Sequence, residues 1–235
     1  MSTNGQTAAL SNELEIVKEA VRQEVEERPP TIGMIGVSGV GKSSTVNTLF
    51  RTNFATSDTT ACTKAFQHKD VVLTFTGGKA RGSQALLRVF DAPGLGESVE
   101  RDPEYLAQYH QHLPSCDVII WIMAARNRGL ALDQRYPEEL KSYHGRMVFG
   151  VNQVDLTEPM DWHPVVNGPS PEQERNIERI VQDRQEKLEQ VLGRAVTVIP
   201  YSARARFNLQ GFFTAIIEAC PDDRRFLLQP QGLSS

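Results

Sequence analysis

The segment Gly36-Val37-Ser38-Gly39-Val40-Gly41-Lys42-Ser43 has the spacing G-x-x-x-x-G-K-S and overlaps the end of the apolar run 32–37. Glycines in such a loop let consecutive backbone N–H groups turn inward around an anion without Cβ clashes, at the positive end of a helix. Lys42 then reaches the β- and γ-phosphates of a nucleoside triphosphate, and the Ser43 hydroxyl can ligate Mg2+. The cradle is assigned to Gly36, Ser38, Gly39, Val40, Gly41, Lys42, Ser43 and Ser44. This loop by itself does not separate ATP from GTP.

Three further segments bear on the same chemistry. Asp91-Ala92-Pro93-Gly94 closes the apolar run 85–90, where a carboxylate can hold a metal through water and the Gly94 N–H can meet a γ-phosphate. Asn152-Gln153-Val154-Asp155 follows the run 147–151, and Ser202-Ala203-Arg204 follows a run ending near Tyr201. The carboxyl ends of parallel strands are where open α/β sheets bind ligands.

The elements that must carry these loops are legible as alternation. Buried-type runs at 31–37, 118–124, 147–152 and 196–201 read as parallel strands. The runs 66–75 and 85–91, joined by a Gly-containing turn at 77–83, read as an antiparallel hairpin. A helix opens at Gly41 to Lys42, another at Asp102-Pro103 with Asp102 as N-cap, and a third is stopped by Gly145. Ser170-Pro171-Glu172-Gln173 has the form of a capping box ahead of a long helix ending at Gly193, and Asn208 caps the last helix, which Pro221 ends. The expected fold is α/β: about six strands, mostly parallel with one antiparallel, and helices on both faces. Residues 156–169 read as a long Pro-containing loop with a tendency to mobility, and Trp162 in it as a surface-contact candidate, whereas Trp121 reads as core.

These motifs resemble the translation-factor-related GTPases, whose phosphate loop, switch I threonine, D-x-x-G, N-K-x-D and S-A-K occur in this order. The resemblance spans about 31–220, and Ser57-Asp58-Thr59-Thr60-Ala61-Cys62-Thr63, Asp91-Ala92-Pro93-Gly94-Leu95-Gly96 and Val151-Asn152-Gln153-Val154-Asp155 resemble the Era-like branch, in particular the bacterial YfjP-type GTPases. It implies a three-layer P-loop GTPase fold. It implies that Asp155 accepts from the guanine N1–H and amino group, that Asn152 braces the loop while facing the base, and that Ala203 offers its N–H to O6, with Ser202 and Arg204 completing that loop. A carboxylate facing adenine would meet an acceptor instead. Lys42, Thr60 and Gly94 are the implied catalytic positions, and Ser43, Thr60 and Asp91 the implied Mg2+ positions. Thr60 is the choice for switch I, with Thr59 second among Thr56, Thr59, Thr60 and Thr63.

Three positions depart from the family pattern. Gln153 and Arg204 stand where lysines are usual, and each can lay its stem on a face of the base. Leu95 follows Gly94 where many small GTPases place a water-orienting glutamine, a substitution common in this superclass. Slow intrinsic hydrolysis, with help from a partner, a dimer contact or another side chain, is the expectation. Gly39 replaces the asparagine of potassium-activated relatives, which argues against a potassium ion.

The chain has 235 residues, a net charge of -4 and 23% charged residues, so no general electrostatic pull toward nucleic acid or acidic lipid is expected. Ribosomal RNA, a membrane surface and a nucleotide-dependent homodimer remain open as partners. Cys62, Cys116 and Cys220 lack metal or disulfide spacing, and a reduced, cytoplasmic setting is expected. His110 and His112 face different sides of a helix and are not read as a metal site. The expected organisation is a polar N-terminus with an amphipathic helix over 1–29, a G domain over 30–220 and a tail over 221–235. The N-terminal helix packs on its own domain or mediates dimerisation or docking. Two other functions compete with a GTPase switch: a guanine-nucleotide-binding assembly module with little turnover, and a P-loop ATPase or kinase.

Overall fold

The computed structural model describes residues 26–51, 66–74, 84–96, 100–126 and 130–225, together with positions 19 and 23. The expected switch I threonines Thr56, Thr59, Thr60 and Thr63, most of the span expected to form an N-terminal helix and the end of the tail lie outside the described residues.

The chain runs β1 (Thr31–Gly36), α1 (Lys42–Phe50), β2 (Gln67–Thr74), β3 (Gln84–Asp91), α2 (Asp102–His112), β4 (Val118–Ala124), α3 (Leu130–Glu139) and β5 (Met147–Asn152). It continues through β6 (Trp162–His163), β7 (Gly168–Pro169), α4 (Pro171–Leu192), β8 (Val198–Pro200), α5 (Leu209–Ala219) and α6 (Asp222–Arg225). One six-stranded sheet has the order β2-β3-β1-β4-β5-β8, antiparallel only at β2 with β3. Strands β1, β4 and β5 are buried at every residue, which requires cover on both faces and explains their continuous apolar runs.

Parallel register places the amino ends of β1 and β4 at one pole and their carboxyl ends at the other, with Ile32 opposite Val118 and Gly36 opposite Ile122. The amino pole is tied by Asp117, which accepts from the Thr31 N–H at 2.8 Å and pairs with Arg28 and Arg224 at 3.5 Å each. Arg224 is only 3% exposed and also donates to the Arg28 carbonyl at 2.5 Å. A buried guanidinium requires such partners because its desolvation is costly, and removing the partner of a buried ion pair costs about 3–5 kcal/mol.

Several local expectations are corrected. Asp102 is the first residue of α2 and not its N-cap, which is Arg101; its carboxylate is drawn away to tertiary partners. Gly145 does not stop a helix but lies inside the 3-10 turn Lys141–Arg146. Ser170 does cap α4 by accepting from the Gln173 N–H, yet the Gln173 side chain is spent on the Asp155 and Thr157 carbonyls. Asn208 occupies the N-cap of α5, but its side chain donates to the Pro200 carbonyl. The run 196–201 is a strand only at β8. Residues 156–169 contain the β6–β7 ribbon, where the Trp162 ring packs edge-on against Phe207 at 5.1 Å.

Gly150 on β5 sits where a Cβ would lie 2.7 Å from Phe212 and 2.8 Å from Tyr201, two rings stacked 4.2 Å apart. Gly150→Ala is expected to destabilise the fold by about 1–3 kcal/mol through overpacking, read as a lowered urea midpoint at unchanged m-value. An unchanged midpoint would mean that α5 shifts freely on the sheet.

Candidate functional site

The phosphate loop leaves β1 and enters α1 through Gly41, whose φ of 88° is left-handed and whose added Cβ would lie 2.5 Å from the Asn152 side chain. Gly41 is the N-cap of α1 and supplies no side chain to cap it, and no acidic residue occupies the first turn. The opening turn of α1 thus has the backbone N–H groups and the helix dipole that suit an anion. Lys42 is 8% exposed and arches back over the loop, donating to the Gly36 and Val37 carbonyls at 3.2 and 3.1 Å.

The D-x-x-G segment is stitched to this loop by its backbone. Ser38 N–H donates to the Leu95 carbonyl at 2.9 Å, and Leu95 N–H to the Gly36 carbonyl at 3.3 Å, a parallel bridge between Val37 and Leu95. Gly94 lies so close to Ser38 that a Cβ would come within 2.7 Å of its Cα. Asp91, buried at the end of β3, accepts from the Ser43 hydroxyl at 2.5 Å. The Leu95 side chain is 0% exposed and belongs to the core.

Three residues that sequence reasoning did not assign to the site hold this segment in place. Tyr109 on α2 donates to the Pro93 carbonyl at 2.6 Å. Asp102 accepts from the Gly96 N–H at 2.8 Å and from the Tyr136 hydroxyl on α3. Burial pushes the Tyr109 hydroxyl up, and burial together with the Asp102 carboxylate pushes Tyr136 up to about 12, so both remain protonated donors at neutral pH. The available signal was Asp102 close after Gly96 at a helix start, where a carboxylate can reach back to loop N–H groups.

At the other end of the cradle, Asn152 bridges two loops: its Nδ2 donates to the Val40 carbonyl at 2.9 Å, and its Oδ1 accepts from the Ala203 N–H at 3.0 Å. The Asn152 carboxamide is thus turned to protein partners, and the Ala203 N–H is directed at Asn152. Gln153, left-handed at φ 65°, donates to the Gly39 carbonyl at 3.1 Å, so its side chain lies on the phosphate loop. Asp155 accepts from the Ser202 hydroxyl at 2.7 Å and from Arg204 Nε at 2.9 Å. The ribbon buttresses this loop, with Asn167 donating to the Ala205 carbonyl at 2.8 Å. The cradle, Asp91, Gly94, Asn152, Asp155, Ser202, Ala203 and Arg204 thus converge at the carboxyl pole, and Thr60 falls outside the described residues.

Residues 31–153 of this chain match the family model described as 50S ribosome-binding GTPase. The chain belongs to that family. It is 34% identical over 169 residues to the uncharacterized protein YfjP of Escherichia coli, covering 69% of this chain and 55% of YfjP. It is 35% identical over 133 residues to YkfA of the same organism, covering 55% of this chain and 43% of YkfA. This GTPase therefore spans about half the length of these curated relatives. Its fold is similar to Aquifex aeolicus Era bound to GDP·AlF4-, with TM-score 0.58, 19% identity and coverage of 82% and 57% of the two chains. It is likewise similar to Arabidopsis thaliana Toc33 in complex with Mg2+ and GMPPNP, with TM-score 0.58, 14% identity and coverage of 89% and 92%.

Proposed function

We propose that this GTPase is a Mg2+-dependent guanine-nucleotide switch with slow intrinsic turnover, completed by a partner molecule. The observation that carries the reading is the complete burial of Leu95, which leaves the position after Gly94 without a polar side chain to orient a water. A glutamine there would have to occupy the core, so the group that aligns water comes from elsewhere.

The cradle N–H groups from Gly39 to Ser44 orient the phosphates, Lys42 offsets charge on the transferring group, and the Gly94 N–H meets the γ-phosphate. Asp155 reads the guanine edge while Asn152 locks the two base loops to the phosphate loop. Thr60 is the proposed reporter of the γ-phosphate. Ser43 and Asp91 suit Mg2+, since their oxygens meet at 2.5 Å and a small hard cation needs only one or two protein oxygens beside substrate phosphates. When bound there, Mg2+ neutralises charge on the β- and γ-phosphate oxygens.

Single-turnover GTP hydrolysis across a range of protein concentrations tests this reading. The expected rate for dilute protein is about 10⁻³ s⁻¹, as for unassisted GTPases. A rate that climbs with concentration identifies a second copy as the partner, and a flat slow rate places the partner in another macromolecule. Turnover of several per second in dilute protein, or none in any condition, would sink the proposal.

A further inference from the structure

Both oxygens of the Asp155 carboxylate are engaged by donors of the chain itself. Ser202 Oγ donates to Oδ1 at 2.7 Å, while Arg204 Nε donates to Oδ2 at 2.9 Å and Arg204 Nη2 lies 2.6 Å from that same oxygen. The two partners differ sharply in their setting. The Asp155 side chain is 4% exposed and fixed between loops, whereas the Arg204 side chain is 72% exposed. A long exposed stem can leave without disturbing the packing around it.

The chemistry of the bond matters more than its strength. A guanidinium offers adjacent N–H donors in one rigid plane, and guanine offers the same kind of donor pair from N1–H and its 2-amino group. Lysine, the residue usual at this position in the family resemblance, is a rotating point charge that cannot imitate that edge. We propose that Arg204 is an internal competitor of guanine, holding the Asp155 carboxylate until a base with a matching donor pair displaces it. This rests on the reading of Asp155 as the guanine-recognising residue. Nucleotide affinity is then reduced by the fraction of molecules in which the carboxylate is open. The displaced guanidinium is free to lie on the face of the base.

A four-part comparison separates competition from stacking. Dissociation constants are measured for GDP with the wild type and Arg204→Ala, and for xanthosine diphosphate with Asp155→Asn and the double variant. Thermal melts of all four confirm folding. Competition predicts that Arg204→Ala tightens GDP binding about threefold to tenfold when Asp155 is present. In the Asp155→Asn background, where a neutral carboxamide holds a guanidinium weakly, the same substitution leaves xanthosine diphosphate affinity unchanged or weaker. Unchanged or weakened GDP binding on Arg204→Ala overturns the proposal, as does tightening of equal size in both backgrounds. Should Asp155→Asn leave GDP affinity intact and gain none for xanthosine diphosphate, the guanine-reader assignment itself falls and takes the proposal with it, a failure visible without any Arg204 variant.

Discussion

Lys42→Ala is expected to lower single-turnover GTP hydrolysis by about three orders of magnitude and to weaken GTP binding severely, with little change in fold stability. The catalytic loss follows from where the ammonium is held. It is nearly buried above the phosphate loop on two backbone carbonyls, at 3.2 and 3.1 Å, where a bound phosphate would meet it in a site of low dielectric. Removing one preorganised donor of this kind costs about 10²–10³ in rate, and loss of a full cation at a transferring phosphoryl group costs about 10³–10⁵. Stability should change by only about 1 kcal/mol, because the Gly36 carbonyl keeps its bond from the Leu95 N–H. Quenched-flow hydrolysis and fluorescent-nucleotide titration measure the first two effects, and urea unfolding the third. A rate reduced less than tenfold would show that Lys42 does not face the phosphates.

Asp155→Asn is expected to weaken GTP binding by about a hundredfold or more and to improve binding of xanthosine triphosphate. Guanine presents two donors on the edge that Asp155 is proposed to read, whereas xanthine presents a carbonyl at position 2. A carboxamide can donate to that carbonyl but leaves one guanine donor facing another donor, which a water-excluded site punishes heavily. Asn also keeps an oxygen for the Ser202 hydroxyl, so the loop geometry should survive. Competition of unlabelled nucleotides against a fluorescent analogue gives both affinities. Unchanged GTP affinity would remove Asp155 from the base site.

Much of this molecule was legible before its structure. The strands at β1, β4 and β5 are buried on both faces, and such strands must be written as unbroken apolar runs, which is why their positions and the loops at their ends could be read directly. Side-chain destinations were harder to read. The Asp-Pro pair at the start of α2 has the chemistry of an N-cap, and although Gly96 is near enough in sequence to hint at a contact, local pattern cannot tell that Tyr136, 34 residues away, will help draw Asp102 from the helix end. Leu95 could be recognised as unable to orient water, but not as a core residue, since its burial depends on the register of Val37 against the D-x-x-G segment. Arg204 was expected to lie over a base; its bond to Asp155 requires two loops more than forty residues apart to meet, which no local spacing encodes.

The Asp117 cluster carries one consequence of a mechanical kind. Residues 28 and 224 are both anchored at the amino ends of β1 and β4, far along the strands from the loops that gather at the carboxyl pole. A pull on the chain before residue 28 and a pull after residue 224 therefore enter the molecule at one shared point and bypass the loops at the other end.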